Sequence, residues 1–197
     1  MTRLAVFGYG SLVSRRSAAE TLGRPVAPPI PARLEGFSRG WILGRDNLTT
    51  EKMFARADGS VPRFCLGVGL IPDPGAPAPN GALIELSEAE LDRLDLREMR
   101  YTRLDVTAAI RVGKAGTESP PFDRVVTYRP RPENHKPEPP DDAIIVANYL
   151  STVEAAFDEL GPGQLDLFRA TTPPPPVEVT EATLVRDRIP EGNPRGW

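Results

Sequence analysis

The chain has 197 residues but only one cysteine, Cys65, and one histidine, His135. A lone cysteine excludes an intrachain disulfide. Its setting, Arg63-Phe64-Cys65-Leu66-Gly67-Val68, reads as a strand with a buried thiol. No Cys/His cluster has metal-ligand spacing, so the sequence implies no metal. His135 sits between Asn134 and Lys136 in a proline-rich stretch. Ser-His-Asp or Cys-His chemistry would rest on that residue alone and is disfavoured. The net charge of −3 and the lack of a Lys/Arg run argue against nucleic-acid binding. Long apolar runs are also missing. Met1-Thr2-Arg3 leads into the short run Leu4-Ala5-Val6-Phe7, too little for a secretory core or a membrane span. The expectation is a cytoplasmic protein without a membrane or nucleic-acid partner.

Proline is abundant, with 23 residues beside 17 glycines, which implies stiff connections and few long helices. Hydropathy predicts strands over 3–8, 32–43, 64–71 and 81–86, with Asn80-Gly81 as a turn. A short helix is predicted from Ser14 to Leu22, ended by Gly23. Residues 46–60 read as a loop. Ser87-Glu88-Ala89-Glu90 is a capping box, and Leu86 and Leu91 form its hydrophobic staple, so a helix runs from Glu88 to about Arg97. A strand from Tyr101 places Leu104, Val106, Ala108 and Ile110 on one face. Residues 124–128 form another strand. Asp141 or Asp142 caps a helix carrying Val146, Leu150, Val153, Phe157 and Leu160, which Gly161 ends. Pro173 to Pro176 favour polyproline II, a stiff spacer or a segment suited to an SH3-like partner. Residues 186–197 read as a loosely docked tail. Strands do not alternate with helices, which points to an α+β domain or small barrel over 1–170, followed by a proline-rich extended segment over 171–197.

The strand Leu4 to Phe7 runs into Gly8-Tyr9-Gly10-Ser11-Leu12. Such a turn exposes consecutive backbone N–H groups, and glycine permits positive φ and close approach of a ligand. It suits a carboxylate, a phosphate or an oxyanion, or is simply a tight turn. A dinucleotide fingerprint needs a third small residue where Val13 stands, and Pro25, Pro28, Pro29 and Pro31 interrupt the second strand it requires. A nicotinamide or flavin oxidoreductase is therefore disfavoured, and no Walker lysine follows. The second candidate is Glu98, in Asp95-Leu96-Arg97-Glu98-Met99-Arg100-Tyr101-Thr102-Arg103. A solvated charge run with local ion pairs is the ordinary reading. Glu98, however, lies between a helix C-terminus and a buried strand. Both disfavour a carboxylate, whereas Arg97, Arg100 and Arg103 favour one.

Taken together, these segments resemble the gamma-glutamylcyclotransferase-like superfamily. Val6-Phe7-Gly8-Tyr9-Gly10-Ser11-Leu12 is similar to its strand-and-turn signature, nearest to the glutathione-specific ChaC branch. Leu94-Asp95-Leu96-Arg97-Glu98, followed by Tyr101-Thr102-Arg103, is similar to its acidic helix end. A weaker likeness covers Val125-Val126-Thr127-Tyr128 and the helix with Tyr149. The resemblance spans about residues 3–161. It implies a small mixed β-barrel flanked by helices, with one pocket at its mouth. It also implies a cofactor-independent reaction in which the α-amino group of a γ-glutamyl peptide or amine attacks its own γ-carbonyl and releases 5-oxoproline. Glu98 would be the general acid/base, and the backbone of Tyr9, Gly10, Ser11 and Leu12 would hold the substrate. Tyr101 would line the pocket, with Tyr128 its neighbour. The alternative is a non-catalytic small-molecule binding or interaction module on the same fold.

Overall fold

The computed structural model describes residues 2–113, 116–188 and 193. In chain order the strands are β1 (Leu4–Gly8), β2 (Ile30–Leu34), β3 (Phe37–Asp46), β4 (Lys52–Arg56), β5 (Phe64–Pro72) and β6 (Asn80–Leu86), then β7 (Tyr101–Asp105), β8 (Ile110–Val112), β9 (Arg124–Pro130), β10 (Ala143–Val146), β11 (Val179–Thr180) and β12 (Ala182–Asp187). The helices are α1 (Arg15–Leu22), α2 (Glu88–Arg97), α3 (Ala147–Leu160) and α4 (Gln164–Ala170).

A six-stranded sheet has the order β7-β9-β1-β6-β2-β8, a four-stranded sheet the order β11-β10-β5-β3, and β12 pairs with β4. Strand β1 is buried along its whole length because its alternating side chains serve two cores. Leu4 and Val6 pack with Ala18 and Leu22 of α1 and Leu91 and Leu94 of α2. Ala5 and Phe7 face Trp41, Leu66, Val68 and Leu70 of the four-stranded sheet. The α+β class is as expected, and the barrel is a curled half-barrel sheet closed over by the second sheet. Among the described residues, no helix is long and apolar enough to cross a membrane.

Helix α2 starts where the capping box places it. Ser87 Oγ accepts from the Glu90 N–H, and Glu90 accepts from the Ser87 N–H at 2.7 Å. Glu90 also receives Arg24, from just beyond α1, with Nη2 donating to Oε2 at 3.0 Å. The two helices that flank the site are thereby tied together.

Several expectations are corrected. Residues 32–43 are two strands, because Gly36 turns the chain at φ 77°. The loop over 46–60 contains β4, which β12 pairs antiparallel. The strand from Tyr101 ends at Asp105. A 3-10 turn over Thr107–Ala109 intervenes before β8, so the alternation through Ile110 is not one strand. Asn80-Gly81 opens β6 and is not a turn. Asn80 is buried with its amide donating to the Gln164 carbonyl at 2.8 Å, and a Cβ on Gly81 would lie 2.2 Å from the Gly8 carbonyl oxygen. Neither Asp141 nor Asp142 caps α3, since β10 comes between. Asp142 instead accepts from Arg56 and from the Arg63 N–H, both at 3.0 Å. No regular element covers Pro173 to Pro176, but β11 and β12 follow. Of the tail expected over 186–197, Arg186 and Asp187 pair with β4, while 189–192 and 194–197 lie outside the described residues.

Arg24, opposed in part by burial and assisted by the Ser87 N–H, holds the Glu90 carboxyl below the usual carboxylate range. A depressed carboxylate contributes stability that is complete above its unfolded value and lost as pH falls through the folded one. Glu90→Ala is expected to cost about 1–2 kcal/mol at neutral pH. Urea denaturation at pH 7 and at pH 3 checks this, and the gap from wild type should narrow in acid.

Candidate functional site

Where β1 ends, Gly8, Tyr9 and Gly10 lead into a 3-10 turn over Ser11–Val13. The Val13 N–H donates to the Gly10 carbonyl at 3.0 Å, and the Ser14 N–H to that of Ser11 at 3.2 Å. The N–H groups that open such a turn have no acceptor within it. Neither Gly8 nor Gly10 adopts positive φ, so conformational freedom does not explain these glycines. Close approach does, and it applies to packing. A Cβ on Gly8 would sit 3.0 Å from the Leu12 Cβ, and one on Gly10 would sit 2.7 Å from Val68 Cγ2.

Arg39 holds the turn from below, with 1% of its surface exposed. Its Nη1 donates to the carbonyls of Tyr9 at 3.2 Å and Asn80 at 2.6 Å. Its Nε donates to Thr172 Oγ1 at 2.7 Å, and Nη2 to Asn80 Oδ1 at 3.0 Å and Thr171 Oγ1 at 3.1 Å. The rings of Phe157 and Phe168 lie 5.0 and 4.3 Å from the guanidinium carbon. Burial pulls Arg39 down to about 9, so it stays charged at neutral pH. A trans peptide sets N–H opposite C=O. With its carbonyl on Arg39, the Tyr9–Gly10 peptide therefore projects the Gly10 N–H away from that side chain.

Glu98 is the residue that ends α2. Its N–H donates to the Leu94 carbonyl at 2.9 Å, and its carbonyl accepts from the Tyr101 N–H at 2.8 Å. Its carboxylate pairs with Arg97 Nε at 3.1 Å, where both side chains are mostly covered. Arg97 in turn binds Thr21 Oγ1, the Ser17 carbonyl at 3.2 Å and Ser11 Oγ at 3.3 Å. One guanidinium thus ties α2 to α1 and to the turn, and it orients Glu98. Arg100 pairs with Glu51, and Arg103 with Asp95 at 2.7 Å. The charge run is therefore a set of ion pairs, one of which includes the candidate acid/base.

The structure brings Tyr9, Gly10, Ser11, Leu12, Glu98 and Tyr101 to one small pocket of about 40 Å³. All four tyrosines of the chain line it, Tyr128 and Tyr149 included. Strand β10 pairs with β5 only at Phe64 and Cys65. Beyond that point the phenols take over ladder groups. The Val68 N–H donates to Tyr149 Oη at 3.2 Å, and Tyr101 Oη donates to the Val68 carbonyl at 3.4 Å. Tyr9 Oη donates to the Tyr128 carbonyl at 2.7 Å, and Tyr128 Oη to Asp95 at 2.6 Å. Burial raises Tyr9, Tyr128 and Tyr149, the last to about 12, and the nearby Glu98 charge adds to each shift. At neutral pH these three phenols are uncharged. The small pocket shares Ser11, Glu98, Tyr101 and Tyr149 with a larger cavity of about 330 Å³. His135 lines neither, and no cluster of three metal-binding side chains occurs among the described residues.

No protein-family model matches the sequence, and no curated protein sequence matches it. Solved structures do. One described as gamma-glutamyl cyclotransferase matches with a TM-score of 0.58 at 17% identity, over 91% of this chain and 94% of that one. An uncharacterized protein from Homo sapiens matches at 0.59 and 17%, over 92% and 95%. A yeast gamma-glutamyl cyclotransferase specific to glutathione matches at 0.51 and 16%, over 87% and 98%. The chain has the gamma-glutamyl cyclotransferase fold.

Within this cyclotransferase fold, sequence reasoning misses three contributors. Tyr149 stands at helical spacing between Val146 and Val153 and so reads as one more apolar-stripe residue of α3, and its reach to β5 has no local signal. Arg97 reads as one more member of a charge run. Arg39 sits between Ser38 and Gly40 in a strand, with nothing in the sequence to mark its burial. Gly10→Ala tests the fit of the turn. The clash with Val68 is expected to cost about 1–3 kcal/mol. Denaturant unfolding of the variant beside wild type measures the loss.

Proposed function

We propose that the protein is a gamma-glutamyl cyclotransferase that releases 5-oxoproline from a γ-glutamyl compound. The observation that carries this reading is the meeting of Glu98 with the Tyr9–Leu12 turn across one small pocket. The described relatives on this fold add to it.

In this reading the glutamyl unit lies folded between the turn and Glu98, so that its α-nitrogen meets its γ-carbonyl carbon. Holding the two in contact supplies much of the rate. Glu98 takes a proton from the α-ammonium. The neutral nitrogen attacks the γ-carbonyl carbon, and the new C–N bond closes the ring. Glu98 returns its proton to the leaving nitrogen as the amide bond to it breaks. The second proton, which the ring nitrogen sheds on becoming the lactam N–H, passes by way of Glu98 to the released amine, which leaves as an ammonium. Protons and electrons then balance without a co-reactant. The N–H groups of the turn hold the α-carboxylate or the oxyanion that develops on the γ-carbonyl. Arg97 keeps Glu98 aimed, and the rings of Tyr9, Tyr101 and Tyr149 shape the pocket.

Glu98→Gln keeps the shape of the side chain but cannot carry the proton. The expected result is a fall in kcat of about 10²–10⁴-fold with the circular dichroism spectrum unchanged. The assay is 5-oxoproline release from γ-glutamyl amino acids, glutathione and γ-glutamyl-ε-lysine. Undiminished turnover by the variant would remove Glu98 from the mechanism. Binding without 5-oxoproline from any of these compounds would favour a non-catalytic binding module.

A further inference from the structure

The cavity beyond Glu98 has its own chemistry. Its floor is one face of the β3–β5 pair, where Arg45 stands opposite Cys65 and Leu43 opposite Gly67. Gly67 leaves this floor open. A Cβ there would sit 3.4 Å from Tyr149 Oη and from Leu43 Cδ2. The Leu43–Gly67 row adjoins the Tyr149 and Glu98 end, and the Arg45–Cys65 row lies two residues farther along the strands, roughly 7 Å away.

Four arginines line this cavity: Arg16, Arg45, Arg97 and Arg100. Three already hold carboxylates, Arg16 that of Glu20, Arg97 that of Glu98 and Arg100 that of Glu51. Arg45 differs. Among the described residues its acceptors are neutral: the Lys52 carbonyl at 2.8 Å, Asn47 Oδ1 at 3.5 Å, and the sulfur of Cys65, whose thiol burial pushes up. Its guanidinium carbon lies 5.0 Å from the Phe54 ring centre. These contacts hold the side chain in place and leave guanidinium N–H donors over. The surrounding wall is otherwise neutral, with Phe54, Leu66 and Val146 apolar and Asn148 and Thr152 able to hydrogen-bond. Among the described residues the cavity therefore carries one positive charge without a carboxylate partner, a short reach from the proposed reaction centre. Planar, charge-assisted donors of this kind match a carboxylate.

We propose that this end of the cavity receives the leaving amine and that Arg45 binds a carboxylate on it. The substrates are then γ-glutamyl amino acids or peptides with a free carboxylate, not γ-glutamyl alkylamines. Arg45 is the residue that distinguishes the two classes. The inference rests on the cyclotransferase reading above.

The test compares γ-glutamylalanine with γ-glutamylethylamine, which differ only in the carboxylate of the leaving group. Release of 5-oxoproline from each is measured as kcat/KM. Wild type should favour the acid by about 10- to 100-fold, the worth of one charge-assisted interaction. In Arg45→Met the ratio should fall to near one, through a raised KM for the acid. A wild-type ratio near one overturns the proposal while leaving the cyclotransferase reading intact, and needs no variant to fold. A high ratio retained in Arg45→Met removes Arg45 from the role. Failure of both compounds, and of every other γ-glutamyl compound, to yield 5-oxoproline overturns the underlying reading and this proposal with it.

Discussion

The Arg39 guanidinium is the constraint on which the rest of the structure depends. Among the described residues it is buried without a carboxylate, in a shell of neutral acceptors and against two phenylalanine rings that stack on each other. Such a cation is tolerable only when its donors are met. Meeting them draws the end of β1, the start of β6, helix α4 and Thr171–Thr172 to one point. Each buried acceptor left without its donor would cost about 1–3 kcal/mol. Against a typical domain stability of about 5–15 kcal/mol, several such losses would be severe. The same contact sets the direction of the Tyr9–Gly10 peptide. The core thus determines how the turn presents its N–H groups.

A second guanidinium does for Glu98 what Arg39 does for the turn. Arg97 is anchored on α1 and Ser11 and holds Glu98 from the side. The two halves of the pocket are therefore positioned separately, one from the core and one through the helix pair. Between them stand the four tyrosines, two of which, Tyr101 and Tyr149, bond to Val68 in the gap that β10 leaves along β5. Their hydroxyl groups take part in backbone and side-chain hydrogen bonds, so the pocket wall is also structural. Substitutions of Tyr9 or Tyr149 should consequently mix effects on stability and on the site.

Much of this can be read from the chain, for identifiable reasons. The capping box at Ser87–Glu90, the apolar run of β1 and the apolar stripe of α3 are local patterns, and the structure has each of them. The turn at Gly8 and the residue at Glu98 are ninety positions apart, and composition says nothing of their meeting. The resemblance to a known superfamily supplies that step. What stays hidden is non-local. Strand β4 carries only Met53, Phe54 and Ala55 as apolar residues inside a polar stretch, and its pairing partner β12 comes from the far end of the chain. Strand β10 merges with the following helix in the apolar pattern, because Val146 fits both periods. Arg39 and Arg45 lie six residues apart on one strand, yet one is a structural core cation and the other faces the cavity. Nothing in their immediate sequence separates them.

The most direct measurement is a crystal structure of the Glu98→Gln protein soaked with a γ-glutamyl amino acid. The account predicts the glutamyl unit folded in the small pocket. Its α-nitrogen would lie within hydrogen-bond distance of residue 98, and its α-carboxylate or γ-carbonyl oxygen would lie on the N–H groups of Gly10 to Leu12. A ligand bound with its α-nitrogen turned away from residue 98, or bound outside this pocket, would contradict the account.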